Sequence, residues 1–533
     1  MSTQLQDHQL SSTDSAQQQQ QQLPSRSTSD VSVASSPSPH SNSIQPPTFK
    51  ATPLYTIDLN TPPRQRWQPI VREYLNEMKP LKNYIDQMAH EQAGWFGKLG
   101  MKISGWASQQ LLTTVSDSIV EELKGIAELT QPAFGLSYSD LLNLNLGYNF
   151  LAMCSSIAVK EFNRGESKST LGSGEPKSTT SRALDGVYHL RNLDWDVAIA
   201  EPFRNLTIDV EFVRGSQLIY RATTWVGFNG FLTGMRYRQF STTSSDNTNT
   251  TTSNGTTTCT ATPFSISLNY RKNKDSNEIV GFVKNVLAGF MNYYPAEYLI
   301  RKLLEDADSL ETALRWIDHY PMMAPCYLVL CGEENAYLLS KTRTSDLNRL
   351  QLKHEMHKMM EKVVQQQQQQ TGAEQSQPSS SKSVASNVHQ TQQAPPQRAF
   401  LVQTNIDHWE TSVDKEWAGD DALLHNSLDR KCAAQAYLSQ SIEDYSKLKL
   451  VENTSKEQLS SQIHNSKIMS QSAHFRNIPH DTSYFNFLMQ CISNYPSCNQ
   501  ETVYQVICNP KNNFYFSRII YNPPTDPSNN YLY

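Results

Sequence analysis

The chain has no surplus of positive charge: 46 Lys and Arg stand against 51 Asp and Glu, a net charge of −5, with both signs interspersed. A binder of phosphate backbones needs a concentrated basic face, so no nucleic acid partner is expected. Nowhere does an apolar run approach the roughly 20 residues that a bilayer-crossing helix requires. Cysteine is sparse as well. The 8 cysteines (Cys154, Cys259, Cys326, Cys331, Cys432, Cys491, Cys498 and Cys508) are scattered, with no CxxC pair and no Cys/His cluster of zinc-like spacing. No metal site and no cofactor are therefore expected. Residues 1–47 lack both the charged start and the apolar core of a secretory signal, which predicts a cytosolic protein. Asn-X-Ser/Thr triplets at Asn205, Asn249, Asn254 and Asn453 carry little weight, because such triplets arise by chance in Asn/Thr-rich sequence. No internal repeat is evident.

What the chain does have is polar tracts. They fall at 1–47, 165–182, 241–262 and 362–397, with a weaker one at 439–477, and their composition predicts loops or disorder. Removing them leaves material for one large folded domain. The expected division is a Ser/Gln-rich arm at 1–50, a helical segment at 51–153, and a larger domain at 154–533 that carries the insertions. In the second part, Ile70, Tyr74, Met78, Leu81, Ile85 and Met88, then Leu111, Leu112, Val115, Ile119, Leu123 and Ile126, recur with helical spacing. From Cys154 onward, period-two runs rich in β-branched residues predict strands at 156–159, 187–190, 206–213, 217–223, 327–331, 335–340 and 400–404. Helical blocks are expected at 279–287 and 295–317. Helices flanking antiparallel strands make an α+β layered fold.

Taken alone, Cys154 reads as a small buried hydrophobe. Its position says more, since it opens the first strand directly after a helix, where cleavage after Met153 would make it a new N-terminus. A terminal cysteine carries its own base: an α-amine titrating near about pH 8 can take the thiol proton and release a thiolate nucleophile. Arg191 and Asp194 follow a strand with RxxD spacing, which can aim a guanidinium and a carboxylate into one site or form an ordinary surface ion pair. Asn405 ends another strand as a candidate oxyanion donor or a turn cap. Arg430 by default is a solvated helix residue.

Order and context favour the catalytic reading. Leu144-Asn145-Leu146-Gly147-Tyr148 leads to Cys154-Ser155-Ser156-Ile157-Ala158; His189-Leu190-Arg191-Asn192-Leu193-Asp194, Thr404-Asn405-Ile406-Asp407-His408-Trp409 and Asp429-Arg430-Lys431 follow. These segments strongly resemble acid ceramidase and N-acylethanolamine acid amidase. The likeness extends to Tyr55-Thr56-Ile57-Asp58-Leu59-Asn60, Lys124-Gly125-Ile126-Ala127 and Val226-Gly227-Phe228-Asn229-Gly230. It implies an N-terminal-nucleophile hydrolase αββα sandwich of the cholylglycine hydrolase type, made as a precursor that cuts itself between Met153 and Cys154 into an α/β heterodimer. By position, Arg191 and Asp194 would hold the cysteine thiol and amine, Asn405 would line the oxyanion hole, and Arg430 would brace the site; substrate-binding residues are not identified.

The implied substrate is an N-acyl lipid, most readily ceramide, whose hydrolysis gives a sphingoid base and a fatty acid. N-acylethanolamine is the alternative, a catalytically inactive scaffold of the same fold a second, and bile-salt-like or penicillin-like amides a third. The resemblance also implies a lysosome or another acidic compartment, in conflict with the cytosolic reading of the N-terminus. One position departs from the family, which usually has Glu where this chain has Tyr270. Trp95, Phe96 and Trp106, beside Lys98 and Lys102, suggest peripheral contact with a membrane interface, or else packing between helices.

Overall fold

Period-two alternation along two neighbouring strands sets the centre of the molecule. The structure, a computed structural model, describes residues 48–91, 115–151, 153–162, 186–195, 197–243, 256–271, 284–285, 287–289, 291–352, 397–410, 422–452, 482–521 and 523. A six-stranded sheet runs in the order β1 (Thr48–Ala51), β16 (Phe514–Tyr521), β15 (Thr502–Asn509), β4 (Val187–Asp194), β3 (Met153–Phe162), β14 (Gln397–Gln403), with every neighbouring pair antiparallel. An eight-stranded sheet runs β13 (Asp346–Gln351), β12 (Ala336–Lys341), β11 (Cys326–Cys331), β10 (Phe264–Tyr270), β7 (Thr233–Arg236), β6 (Gln217–Trp225), β5 (Thr207–Arg214), β2 (Leu54–Asp58), antiparallel except for the parallel β2–β5 pair. A separate hairpin joins β8 (Gln239–Thr243) to β9 (Thr256–Ala261).

On β3 and β4, Ile157, Val159, Tyr188 and Leu190 face outward into a cluster with Leu438, Tyr484 and Leu488. These last belong to the helices Ala422–Glu452 and Thr482–Ser493, which cover that side. The intervening residues face the other sheet. There Ser156 Oγ lies 2.9 Å from Ser267 Oγ, and the His189 ring spans Ser265 and Ser267 at 3.0 and 2.9 Å. Burial, with the Arg191 charge beside it, pushes His189 down to about 3, so the ring is neutral and serves as a hydrogen-bonded strut between the sheets.

The far side of the eight-stranded sheet is covered by the helix Ala296–Asp306, whose Leu304 sits so close to Gly234 of β7 that a Cβ there would approach it to 2.5 Å. Helix, sheet, sheet and helix are thus stacked in that order, as the α+β sandwich expectation required.

The segment upstream of Cys154 is part of this frame. It supplies an edge strand to each sheet, β1 to one and β2 to the other. Its helix Asp117–Phe134 crosses the short helix Pro63–Arg66 at Gly125, where a Cβ would come within 1.9 Å of the Arg64 carbonyl oxygen. Only glycine permits that approach.

Expectation and structure differ where pairing partners are distant in sequence. Residues 48–50, assigned to the polar arm, lie in β1; the ends of the 241–262 tract are β8 and β9; and 439–452 continues the helix Ala422–Glu452. The expected helix at 295–317 is two helices, the second starting at Leu310 with Ser309 as N-cap accepting from Thr312 N. Strands β1, β2, β7, β8, β9, β10, β13, β15 and β16 were not anticipated. Trp95, Phe96 and Trp106 lie outside the described residues. Among the described residues, no helix is long and apolar enough to cross a membrane, and no group of His, Cys, Asp and Glu could hold a metal ion.

Candidate active site

Cys154 is the second residue of β3, reached from the helix Tyr138–Leu151, and its side chain is fully buried between the two sheets. Register places Met153 opposite Asp194 and Ser156 opposite Arg191 across the β3–β4 ladder. Side chains three residues apart on a strand point to opposite faces. Arg191 and Asp194 therefore bracket the start of β3 from its two faces.

On the inner face, Arg191 Nη2 donates to Cys154 Sγ at 2.7 Å, while Nη1 donates to Ser156 Oγ at 2.9 Å and to Asn269 Oδ1. A guanidinium aimed at sulfur stabilises negative charge developing there. On the outer face, Arg430 Nη1 donates to Asp194 Oδ2 at 2.6 Å and to Ser155 Oγ at 3.0 Å. Arg430 is thus a fully buried residue and not the solvated one that a helix position suggests. Thr502 Oγ1 donates to the other Asp194 oxygen at 2.7 Å. Burial pushes the Asp194 carboxyl up, and Arg430, Thr502 and Arg191 only partly offset it.

Asn405 joins the two faces. Its Oδ1 accepts from the Cys154 backbone nitrogen at 2.6 Å and from Arg430 Nη2 at 3.2 Å, and its Nδ2 donates to the Tyr270 carbonyl at 2.9 Å. The backbone of Asn405 is itself fixed by Ser427 Oγ, 2.7 Å from its nitrogen. Of the residues singled out from sequence, Arg191 and Asn405 touch Cys154 directly, and Arg430 links Asn405 to Asp194, which lies opposite Met153 across the ladder. Tyr270 enters this network through its main-chain carbonyl.

Three contributors were missed. Asn269 lies among Cys154, Arg191 and Thr404. Asp407 takes a bidentate pair from Arg271 at 2.8 and 2.9 Å, with Tyr327 Oη donating at 2.8 Å. Lys431 Nζ donates to the carbonyls of His408 and Glu410 at 2.8 and 2.6 Å. Together these fix the loop that follows Asn405. Burial brings the Lys431 ammonium below its ordinary range. The available signal was adjacency: each lies within one or two residues of a position already singled out.

A family profile described as the beta subunit of N-acylethanolamine-hydrolyzing acid amidase matches residues 50–111. That stretch lies wholly upstream of Cys154. The chain is 25% identical over 298 residues to an N-acylethanolamine-hydrolyzing acid amidase of Caenorhabditis elegans, covering 55% of this chain and 68% of that protein. It is likewise 25% identical over 311 residues to the acid ceramidase of Homo sapiens, covering 57% and 68%. A solved structure of the Caenorhabditis elegans amidase ortholog covers 67% of this chain and 93% of that one at 19% identity, with a TM-score of 0.35, too low to bear on the fold described above.

Proposed function

From its similarity to acid ceramidase and N-acylethanolamine acid amidase, we infer that this chain is a self-processing cysteine amidase that hydrolyses the amide bond of N-acyl lipids. The observation that carries the reading is the double hold on Cys154, with Arg191 on its sulfur and Asn405 on its nitrogen, at the one peptide whose cleavage would turn that nitrogen into a base. In self-processing, Sγ adds to the Met153 carbonyl carbon as its proton leaves, the C–N bond to Cys154 breaks, and the freed nitrogen takes up that proton to become an amine. Water then adds to the thioester, the C–S bond breaks, and Met153 ends as a carboxylate. The fragments remain joined as an α/β heterodimer, because the upstream fragment holds an edge of each sheet.

In turnover the α-amine, oriented by Asn405 Oδ1, takes the thiol proton and the thiolate attacks the amide carbonyl. The amine returns that proton to the leaving nitrogen as the C–N bond breaks. Water then clears the acyl thioester as a fatty acid. Asn405 Nδ2 is already engaged with the Tyr270 carbonyl, so its service to the oxyanion requires that bond to be exchanged for the substrate's oxygen. Ceramide is the first candidate substrate and N-acylethanolamine the second. The order rests on the Lys124-Gly125-Ile126-Ala127 segment, which looks more like the ceramidase version; Gly125 in it serves helix packing.

The test is intact-mass analysis of the purified chain and of Cys154→Ala after incubation in acidic and in neutral buffer, followed by both substrates. A break between Met153 and Cys154 and fatty-acid release, both absent in the variant, are the expected results. A wild-type chain that stays whole and inactive under all conditions would overturn the reading.

A further inference from the structure

We propose that Asn269 is a positioning residue for Cys154, holding the nucleophile's strand, the Arg191 guanidinium and the approach to Asn405 in one geometry. The proposal rests on the self-processing amidase reading above.

Asn269 is the penultimate residue of β10, and its fully buried side chain crosses to the six-stranded sheet. The last paired residues of the β14–β3 ladder are Gln403 and Ser156, so beyond them the two strands need donors from elsewhere. A buried carbonyl without a donor is costly. Asn269 Nδ2 meets much of that need: its two N–H groups are shared among the carbonyls of Cys154 and Gln403 at 3.1 Å and of Thr404 at 3.2 Å, the last of which also accepts from Gln403 Nε2 at 2.9 Å. One amide nitrogen therefore ties down the nucleophile's own peptide and the residue immediately before Asn405.

Its oxygen faces the other half of the site. Oδ1 accepts from Arg191 Nη1 and, at 2.8 Å, from Ser156 Oγ. With Nη1 pinned in this way and Ser156 Oγ also accepting from it, the guanidinium plane is set so that Nη2 reaches the sulfur. An amide is the side chain of this size that offers both donor and acceptor ends without a charge, and both are used. Neither aspartate nor leucine reproduces that pair at neutral pH.

Two substitutions test the assignment. Asn269→Ala removes both ends, and self-processing and kcat are expected to fall about 10²-fold, with KM little changed, as for a displaced reacting group. Asn269→Asp sets a carboxylate against three carbonyls and draws Arg191 away from sulfur. Protonated, it regains one donor. Its kcat/KM and self-processing rate should therefore recover toward acidic pH and fall as that carboxyl ionises, adding a pH limb that the wild type lacks.

If both variants keep the wild-type kcat and pH profile and lose only thermal stability, or if neither folds, Asn269 belongs to the frame alone and the proposal is overturned. An active wild type with unaffected variants sinks this inference and leaves the amidase reading intact. An inactive wild type removes both.

Discussion

Glu122 and Asp194 are both fully buried carboxylates beside arginines, yet burial ends differently for each. Glu122, on the helix Asp117–Phe134, receives Arg301 Nη1 and Nη2 at 2.6 and 2.7 Å, Arg66 Nη1 at 3.0 Å and Trp67 Nε1 at 2.8 Å. Burial pushes its carboxyl up, but the Arg301 charge and these hydrogen bonds outweigh it and hold the group below its ordinary range. Asp194 has Arg430 and Thr502, and there burial prevails. A carboxylate surrounded by donors is an anchor, here fastening the upstream helices to the helix Ala296–Asp306. One with fewer donors is held closer to protonation, and its arginine is shared with Ser155 and Asn405 at the reacting peptide.

The largest expected effect that would sharpen this contrast comes from Arg191. Arg191→Lys keeps a charge but loses the planar fork that serves Ser156, Asn269 and sulfur together. Self-processing and turnover should fall by about 10²- to 10³-fold, the scale of losing one fixed donor at developing charge. The melting temperature should move less than in a Glu122 variant. A variant that processes normally but melts early would place Arg191 with the anchors.

Next in size is the anchor itself. Glu122→Gln leaves two buried guanidiniums without their carboxylate and should cost about 3–5 kcal/mol in denaturant unfolding, while turnover per folded molecule persists. The pH dependence carries the sign. Glu122 is lowered from 4.5, so its stabilisation is present above 4.5 and is lost as pH falls through the lower folded value. Asp194 is raised from 3.8, so its contribution is present below 3.8 and is lost as pH rises through the higher folded value. The Glu122→Gln deficit should accordingly shrink on acidification, whereas Asp194→Asn should gain on wild type as pH rises, even as it loses activity. Parallel slopes in thermal melts of the two variants would break the comparison.

The two regions also differed in how far sequence revealed them. Cys154, Arg191, Asp194, Asn405 and Arg430 could be picked out because their segments kept the order and setting of a known family. The faces they occupy could not, since RxxD spacing says nothing about which side of a strand each residue uses until the strand is drawn. Glu122 was invisible. Three residues after Ile119 and four before Ile126, it sits on the apolar stripe of its helix, but nothing nearby in sequence supplies its counter-charge, and Arg301, its main partner, is 179 residues away. Strands β15 and β16 were missed for a related reason: an edge or neighbour strand is defined by what it pairs with, and β1 lies at the opposite end of the chain.

The smallest effect tests whether location or charge makes the anchor. Glu128 lies on the same helix as Glu122 and also meets an arginine, Arg64, at 2.7 Å, but the two side chains are 44% and 50% exposed. Water already solvates both groups, and ordering two long side chains offsets much of their attraction, so an exposed pair of this kind contributes at most about 1 kcal/mol. Glu128→Gln should therefore shift the unfolding midpoint by a small fraction of the Glu122→Gln shift, and that residue of stability should fade with added salt. Comparable losses at the two positions would mean that the helix as a whole, through its packing at Gly125, holds the upstream segment in place. The buried pair would then be a passenger of that packing.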